Sequence, residues 1–224
     1  MGHFIAILNE LGSDACLVHF SKIHHPGITA DILEEDILEG YTMARSIAEK
    51  HAVPVYFLGY SLGALLGQYF LCLKPGTMNF DKQILIAPAT AIKLPRLVKS
   101  SISLLGDNLK IKSFAPGAYR LDKWLPAKMY KKLMYWERSI LSARYAHLNI
   151  PTLLIMDPKD ELISYSTLVR RMKEFRLTNY QCIILDSNLR GRSTPYHHLV
   201  IDEATMGSKN WSDVRTAMRS FLNH

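Results

Sequence analysis

One stretch, residues 55–67, constrains the fold of this chain more than any other. It runs from apolar, β-favouring residues through Gly-Tyr-Ser-Leu-Gly into helix-forming residues. A G-x-S-x-G sequence between a buried strand and a helix is typical of a nucleophile elbow, a sharp turn that presents the serine hydroxyl at the end of a sheet. The pentapeptide alone is also compatible with a tight turn in which Ser61 only caps the helix. The surrounding pattern favours Ser61 as a nucleophile.

The geometry of such a turn assigns roles to its neighbours. We expect Gly59 and Gly63 to lack side chains because strand and helix pass close to each other there. The helix that begins at Leu62 presents unsatisfied backbone N–H groups at its first turn. The Leu62 N–H is therefore the predicted donor to an oxyanion that develops beside Ser61.

The rest of the chain alternates between short apolar runs and longer amphipathic or apolar segments. This alternation predicts an α/β fold, with a mostly parallel sheet covered by helices on both faces. Ligand chemistry is then expected at the carboxyl ends of the strands. The predicted strands are residues 15–20, 54–60, 82–88, 152–156 and 180–185, and the predicted helices are residues 2–11, 30–51, 62–73, 161–175 and 211–221.

A serine hydroxyl becomes an effective nucleophile when a base accepts its proton and a carboxylate orients that base. Candidate groups follow Ser61 in the chain order Ser, Asp, His that an elbow of this type requires. Asp157 and Asp160 come directly after the strand at 152–156, and His197 and His198 follow the loop after the strand at 180–185. The residues alone leave both choices open, since Asp160 could equally cap the next helix.

With these motifs the sequence resembles the α/β-hydrolase superfamily, and in particular its serine esterases and lysophospholipases. The resemblance is carried by the elbow, by a Pro-x-Leu strand that precedes the Asp loop, and by the His loop. It places Asp157 at a turn position and Asp160 at the catalytic acid. It also favours His197 over His198 as the catalytic base, because Asp202 then occupies the acidic position that follows the histidine in relatives.

The basic residues are concentrated in the middle of the chain. Residues 90–148 hold 12 Lys and Arg against 3 Asp and Glu, whereas the whole chain has a net charge of +7. The resemblance implies that this segment is a cap or lid insertion within a single domain spanning residues 1–224. Its lysines could face an anionic headgroup or a membrane surface. A solvated helical surface is an equally good interpretation of the charge.

The beginning of the chain departs from the pattern of the superfamily. Relatives start with additional strands, one of which ends in a His-Gly type loop that supplies a second oxyanion N–H. This chain starts in the helix that should follow that loop, so we expect an N-terminally incomplete sheet and a single oxyanion donor. Loss of one such donor typically lowers the rate by two to three orders of magnitude.

The resemblance implies a serine hydrolase that cleaves a carboxylic ester through an acyl-enzyme, with no metal or organic cofactor and a small acyl ester as substrate. Thioester hydrolysis, acyl transfer, and a truncated or inactive protein that binds lipid or a partner remain alternatives. A nucleic-acid partner is not expected, because no recognised binding fold accompanies the basic segment. Three isolated cysteines and the lack of a signal-peptide pattern favour a reducing, cytoplasmic location.

Overall fold

Short apolar segments form the centre of the computed structural model, which describes residues 2–18, 30–73, 76–94, 96–112, 123–143, 145–191 and 194–223. The strands are β1 (Tyr56–Tyr60), β2 (Lys82–Ile86), β3 (Lys110–Lys112), β4 (Trp124–Pro126), β5 (Thr152–Met156) and β6 (Tyr180–Ile184). The helices are α1 (Gly2–Glu10), α2 (Ala30–His51), α3 (Leu62–Leu73), α4 (Arg96–Leu104), α5 (Ala127–Ser142), α6 (Tyr165–Glu174), α7 (Glu203–Met206) and α8 (Ser208–Asn223). Short 3₁₀ turns lie at Tyr145–Leu148 and Ser187–Leu189.

Four strands form one parallel sheet in the order β1-β2-β5-β6. Strand β5 is buried along its whole length and β2 almost so, because both lie between neighbours and under helices. Strands β1 and β6, at the two edges of the described sheet, are partly exposed. The prediction of a mostly parallel α/β fold is confirmed.

The register brings the carboxyl ends of the strands to one edge of the sheet. Tyr60 pairs with Ile86, and Ile86 pairs with Ile155. On the other side of β5, its last residue, Met156, pairs with Ile184, the last residue of β6. The loops after β1, β5 and β6 therefore leave the sheet at the same edge, where ligand chemistry is expected in open parallel sheets.

Helix packing follows the apolar content of the segments. Helix α3 is apolar on nearly all sides, and its Ala64, Leu65 and Leu66 have no exposed surface. It packs against β1 and α5. The last helix, α8, packs against β5, and its Trp211 meets Phe4 of α1 in an edge-to-face contact at 5.4 Å between ring centres.

Several predicted bounds differ from the structure by one to three residues, and two elements differ by more. Residues 13–18 have no regular secondary structure, so the described part of the strand predicted at 15–20 is absent; residues 19 and 20 lie outside the described residues. The helix predicted to begin at Glu161 begins at Tyr165, because Asp160 binds the N–H groups of residues 162 and 163 in a loop and Ser164 is the helix cap.

The basic segment, residues 90–148, contains α4, the β3–β4 hairpin and α5. Part of it has a small apolar cluster of its own, formed by Ile102, Tyr130 and Met134. A partly buried ion pair joins it to the rest of the chain, since Arg171 on α6 bonds the buried Glu137 on α5 at 3.2 Å. Its assignment as a cap stays a prediction.

Candidate active site

Ser61 occupies the turn between β1 and α3, as the elbow pattern predicts. Its backbone has φ of +50°, the left-handed region that non-glycine residues rarely adopt. The Ser61 N–H donates to Ile86 at 2.9 Å, and its carbonyl accepts from Ala89 at 3.1 Å and from Leu65 at 3.1 Å. The strained turn is thus held by the next strand and by the helix that it starts.

The two glycines of the pentapeptide differ in their surroundings. A Cβ on Gly59 would lie 2.7 Å from the Cα of Ala64, so the strand and the helix approach too closely for any side chain. A Cβ on Gly63 would meet nothing within 4 Å, so the steric role predicted for Gly63 is wrong. The second tight approach falls one helical turn later at Gly67, whose Cβ would collide with the ring of Phe57.

A continuous chain of hydrogen bonds joins Ser61 to His198 and Asp160. The Nε2 atom of His198 lies 2.9 Å from the Ser61 Oγ, and its Nδ1 atom lies 2.8 Å from Asp160 Oδ2. With the imidazole proton on Nδ1, the ring donates to Asp160 and Nε2 accepts from the serine hydroxyl. Both His198 and Asp160 are buried. In this arrangement the imidazole can accept the serine proton while the carboxylate holds the ring in place.

Both carboxylate oxygens of Asp160 have hydrogen-bond partners. Its Oδ1 accepts from the N–H groups of Leu162 at 2.8 Å and Ile163 at 2.9 Å, while its Oδ2 faces His198. The carbonyl oxygen of Asp160 also accepts a hydrogen bond from Lys93, at the start of the basic segment. Asp160 therefore orders the loop and orients the imidazole at the same time.

The preference for His197 over His198 is wrong in this structure. His197 turns to the other candidate acid, with its Nδ1 atom 2.8 Å from Asp157 Oδ2, and its side chain is one quarter exposed. Asp157 also accepts from Ser187 Oγ at 2.6 Å and from the Lys159 N–H at 2.8 Å. The two adjacent histidines therefore form two separate His–Asp hydrogen bonds, and of these two histidines His198 is the one that meets the serine. Asp202, used to choose the register, caps α7.

Three residues that the sequence did not single out hold the backbone around the histidines. Glu161 Oε2 accepts from the N–H groups of both His197 and His198. The Arg190 guanidinium donates to backbone carbonyls on either side of the pair, and the Tyr60 hydroxyl donates to the His198 carbonyl at 3.0 Å. Glu161 follows Asp160 directly, which is a usable signal, but nothing in the sequence marks Arg190.

Burial changes the protonation behaviour of two of these groups. Burial raises the pKa of Tyr60 above its ordinary value, and the charges of Asp160 and Glu161 raise it further, so the phenol stays a hydrogen-bond donor. Burial lowers the pKa of Arg190, against the opposing effect of Asp157, Glu161 and Asp160. The three carboxylates thus offset part of the cost of burying the guanidinium charge.

The start of α3 lies directly beside the Ser61 hydroxyl. The helix begins at Leu62, so its first N–H groups and the positive end of its dipole face the carboxyl edge of the sheet. In the part of the chain that the structure describes, no group of three or more His, Cys, Asp or Glu side chains is arranged to bind a metal ion.

Comparisons with solved structures identify the fold. The chain is similar to a monoacylglycerol lipase of Paleococcus ferrophilus, with a TM-score of 0.68 and 15% identity over 99% of this chain and 87% of that one. It is also similar to a soluble variant of the monoglyceride lipase of Saccharomyces cerevisiae in complex with a substrate analogue, with a TM-score of 0.66 and 11% identity over 88% of this chain and 70% of that one. A metagenome-derived lipolytic enzyme gives a TM-score of 0.63 at 16% identity, covering 100% of this chain and 88% of that one.

No protein-family model and no curated protein sequence matches the chain. The structural likeness, together with the parallel sheet and the serine elbow, defines the α/β-hydrolase fold. Within the described ranges no helix is long and apolar enough to cross a membrane.

Proposed function

We propose that this protein is a serine hydrolase that cleaves carboxylic esters, with Ser61 as nucleophile, His198 as base and Asp160 as orienting acid. One observation carries the proposal: the unbroken hydrogen-bond chain from Ser61 Oγ through His198 to Asp160, with each link below 3 Å. Three side chains far apart in the sequence meet in the order of contacts that acyl transfer requires.

The reaction follows from this geometry. His198 Nε2 takes the hydroxyl proton as Ser61 Oγ attacks the acyl carbon, and Asp160 stabilises the imidazolium that forms. The Leu62 N–H donates to the developing oxyanion. The imidazolium then protonates the leaving alcohol, which departs and leaves the acyl group on Ser61. Water, activated by the same histidine, releases the carboxylic acid and restores the serine.

The basic segment supports an acyl ester that carries an anionic headgroup or is presented at a membrane surface. Several of its large apolar side chains are exposed, among them Leu104 at 88%, Leu109 at 52% and Trp124 at 47%. The exposed Lys110, Lys112 and Lys123 belong to the same segment. Apolar side chains with neighbouring lysines suit the interface of an anionic bilayer. We therefore assign residues 90–148 as the cap and propose a lipid-like substrate.

The direct test is covalent labelling of Ser61 by a fluorophosphonate. We expect the folded chain to be labelled at one serine, and Ser61→Ala to lose both labelling and hydrolysis of p-nitrophenyl esters. Ser164→Ala, at the cap of α6, is the matched control and should be labelled like the unsubstituted chain. A folded chain that does not react would exclude the proposal.

A second candidate is a hydrolase-like protein that binds lipid or a partner without catalysis. The exposed apolar and basic side chains of the cap favour it, because they serve binding whether or not chemistry follows. Two results together would support this function. The chain would sediment with phosphatidylserine vesicles but not with phosphatidylcholine vesicles, and the fluorophosphonate would leave it unlabelled. Thioester hydrolysis and acyl transfer use the same side chains, and product analysis with a thioester or with an added acceptor alcohol separates them from ester hydrolysis.

A further inference from the structure

The backbone of the His197–His198 dipeptide is fixed from one side by a single carboxylate. Glu161 Oε2 accepts the His197 N–H at 3.0 Å and the His198 N–H at 3.1 Å. Hydrogen bonds that backbone N–H groups donate to a carboxylate are stronger than hydrogen bonds between neutral groups. Because both bonds end on one oxygen, they fix the orientation of the peptide unit between the two histidines as well as its position.

The backbone flanking the dipeptide is fixed by a single guanidinium. Arg190 donates from one nitrogen to the carbonyl of Tyr196 at 2.6 Å and to that of Leu199 at 2.8 Å, the residues immediately before and after the two histidines. Its Nε atom lies 3.6 Å from Asp157, the partner of the His197 imidazole, and both charged side chains are buried. Arg190 therefore closes the loop around the dipeptide and ties it to the Asp157 carboxylate.

These contacts matter because the imidazole of His198 has little freedom once its backbone is set. Only two side-chain torsions separate its Cα from Nε2. The ring also lies beside Tyr60, whose hydroxyl donates to the carbonyl of His198 itself. A backbone shift is therefore transmitted to Nε2, and displacement of a reacting group by about 1 Å can lower a rate about 100-fold.

We infer that Glu161 and Arg190 are positioning residues that fix the backbone of the His197–His198 dipeptide and so hold His198 Nε2 against Ser61. Both act through the backbone of this loop, and this role requires no contact with the reacting atoms. The expected loss of activity rests on the proposed function. The expected change in the position of His198 rests only on the hydrogen bonds of this loop.

The kinetic experiment substitutes Glu161 at two levels. Glu161→Gln keeps an acceptor oxygen and loses the charge. Because this weakens a charged hydrogen bond, we expect kcat for a p-nitrophenyl ester to fall about tenfold with KM unchanged. Glu161→Ala removes the acceptor and should lower kcat about 100-fold. Glu174→Gln, an exposed carboxylate on α6, is the matched control that keeps full activity. An unchanged kcat in Glu161→Gln and Glu161→Ala would overturn the inference, even if both variants melted at lower temperature.

Arg190 is tested in the same way with its own control. Arg190→Lys keeps the charge, but a single ammonium cannot donate to both carbonyls and also lie beside Asp157 as the two ends of the guanidinium do, so kcat should fall with KM unchanged. Arg170→Lys, at an exposed site on α6, is the control. If Arg190→Lys retains the kcat of the unsubstituted chain, Arg190 does not position the base.

A spectroscopic measurement separates this inference from the proposed hydrolase function. In protein labelled with ¹⁵N-histidine, the Nδ1–H proton shared with Asp160 is identified by its loss in His198→Gln. We expect this resonance to shift or broaden in Glu161→Gln and Arg190→Lys and to stay unchanged in Glu174→Gln. This outcome supports the positioning role even for a chain that the fluorophosphonate does not label. An unshifted resonance in both variants would refute the positioning role, even if the unsubstituted protein is a fully active hydrolase.

Discussion

His197 and His198 are adjacent in the chain, yet their imidazoles bond to different carboxylates, Asp157 and Asp160. The two aspartates lie three positions apart in the loop after β5. The result is two parallel His–Asp pairs of equal hydrogen-bond length, only one of which reaches the serine. Two residues of one type in one short loop therefore make different contacts, and substitution tests whether their roles differ as well.

Replacement of the two histidines by alanine is expected to give unequal losses of activity. His198→Ala removes the base that contacts Ser61 and should lower kcat by about 10⁴-fold or more. His197→Ala removes an anchor of the same loop and should lower kcat by about tenfold at most, since Glu161 and Arg190 still hold the backbone. Steady-state hydrolysis of a p-nitrophenyl ester measures both. Equal losses would contradict the assignment of His198 as base.

The two glycines of the elbow are expected to respond in opposite directions. Gly59→Ala forces the backbone of α3 away from β1 and should destabilise the fold by about 3 kcal/mol and lower Ser61 labelling. Gly63→Ala has open space within a helix and should be neutral or stabilise by up to about 1 kcal/mol. Urea denaturation of the two variants checks this. A large loss of stability in Gly63→Ala would contradict the open space seen there.

The partly buried ion pair between α5 and α6 is expected to matter for stability and not for chemistry. Arg171→Met removes the cation beside the buried Glu137 carboxylate, at a cost of about 3 kcal/mol. The adjacent Arg170 pairs with Glu174 at an exposed site, so Arg170→Met should cost less than about 1 kcal/mol. Urea midpoints of both variants measure the difference. Similar midpoints would show that Arg171 makes no net contribution.

Stability is expected to fall at alkaline pH because of Cys72. Burial raises the pKa of its thiol to about 12, whereas a thiol in the unfolded chain titrates near 8.5. Between these values the unfolded state binds fewer protons than the folded state, so the free energy of unfolding decreases by up to about 1.4 kcal/mol per pH unit. Below pH 8 the contribution of Cys72 is complete.

Denaturation in urea at pH 8 and pH 10 tests this dependence. Burial also raises the pKa of Tyr180 and Cys182, so part of the alkaline loss remains in any single variant. Cys72→Ala should lose stability less steeply between the two pH values than the unsubstituted chain, although it starts from a lower value. Parallel pH slopes in the two proteins would exclude a contribution from Cys72.

Much of the fold could be predicted because apolar runs with sharp boundaries determine it. Helix α3 and strand β5 have the bounds that their composition predicts, since Ser61 and Pro151 mark where each begins. The start of α6 could not be predicted, because Asp160 uses its carboxylate to bind the N–H groups that an earlier helix turn would need. Local hydrogen bonding by one side chain moved that boundary by four residues.

The sequence predicted a serine, an aspartate and a histidine for the candidate site, but it selected the wrong one of the two histidines. Ser61 and Asp160 follow strands directly, so the sheet fixes their positions. His198 lies in a loop whose backbone is bonded by Glu161, from the loop after β5, and by Arg190, six to nine positions away along the chain. A spacing rule in the sequence carries no information on those contacts, and it therefore favoured His197.

The site joins positions that lie far apart in the chain, since Ser61 and His198 are separated by 137 positions. Contacts between such distant segments form late when a chain folds, because the intervening loops must close first. Helices α3 and α8, by contrast, form from local contacts. In refolding from urea, far-UV circular dichroism should therefore recover before Ser61 regains its reactivity toward a fluorophosphonate, and simultaneous recovery would show that the loops close together with the helices. Later recovery of the Ser61 reactivity would make the serine a reporter of the last step of assembly.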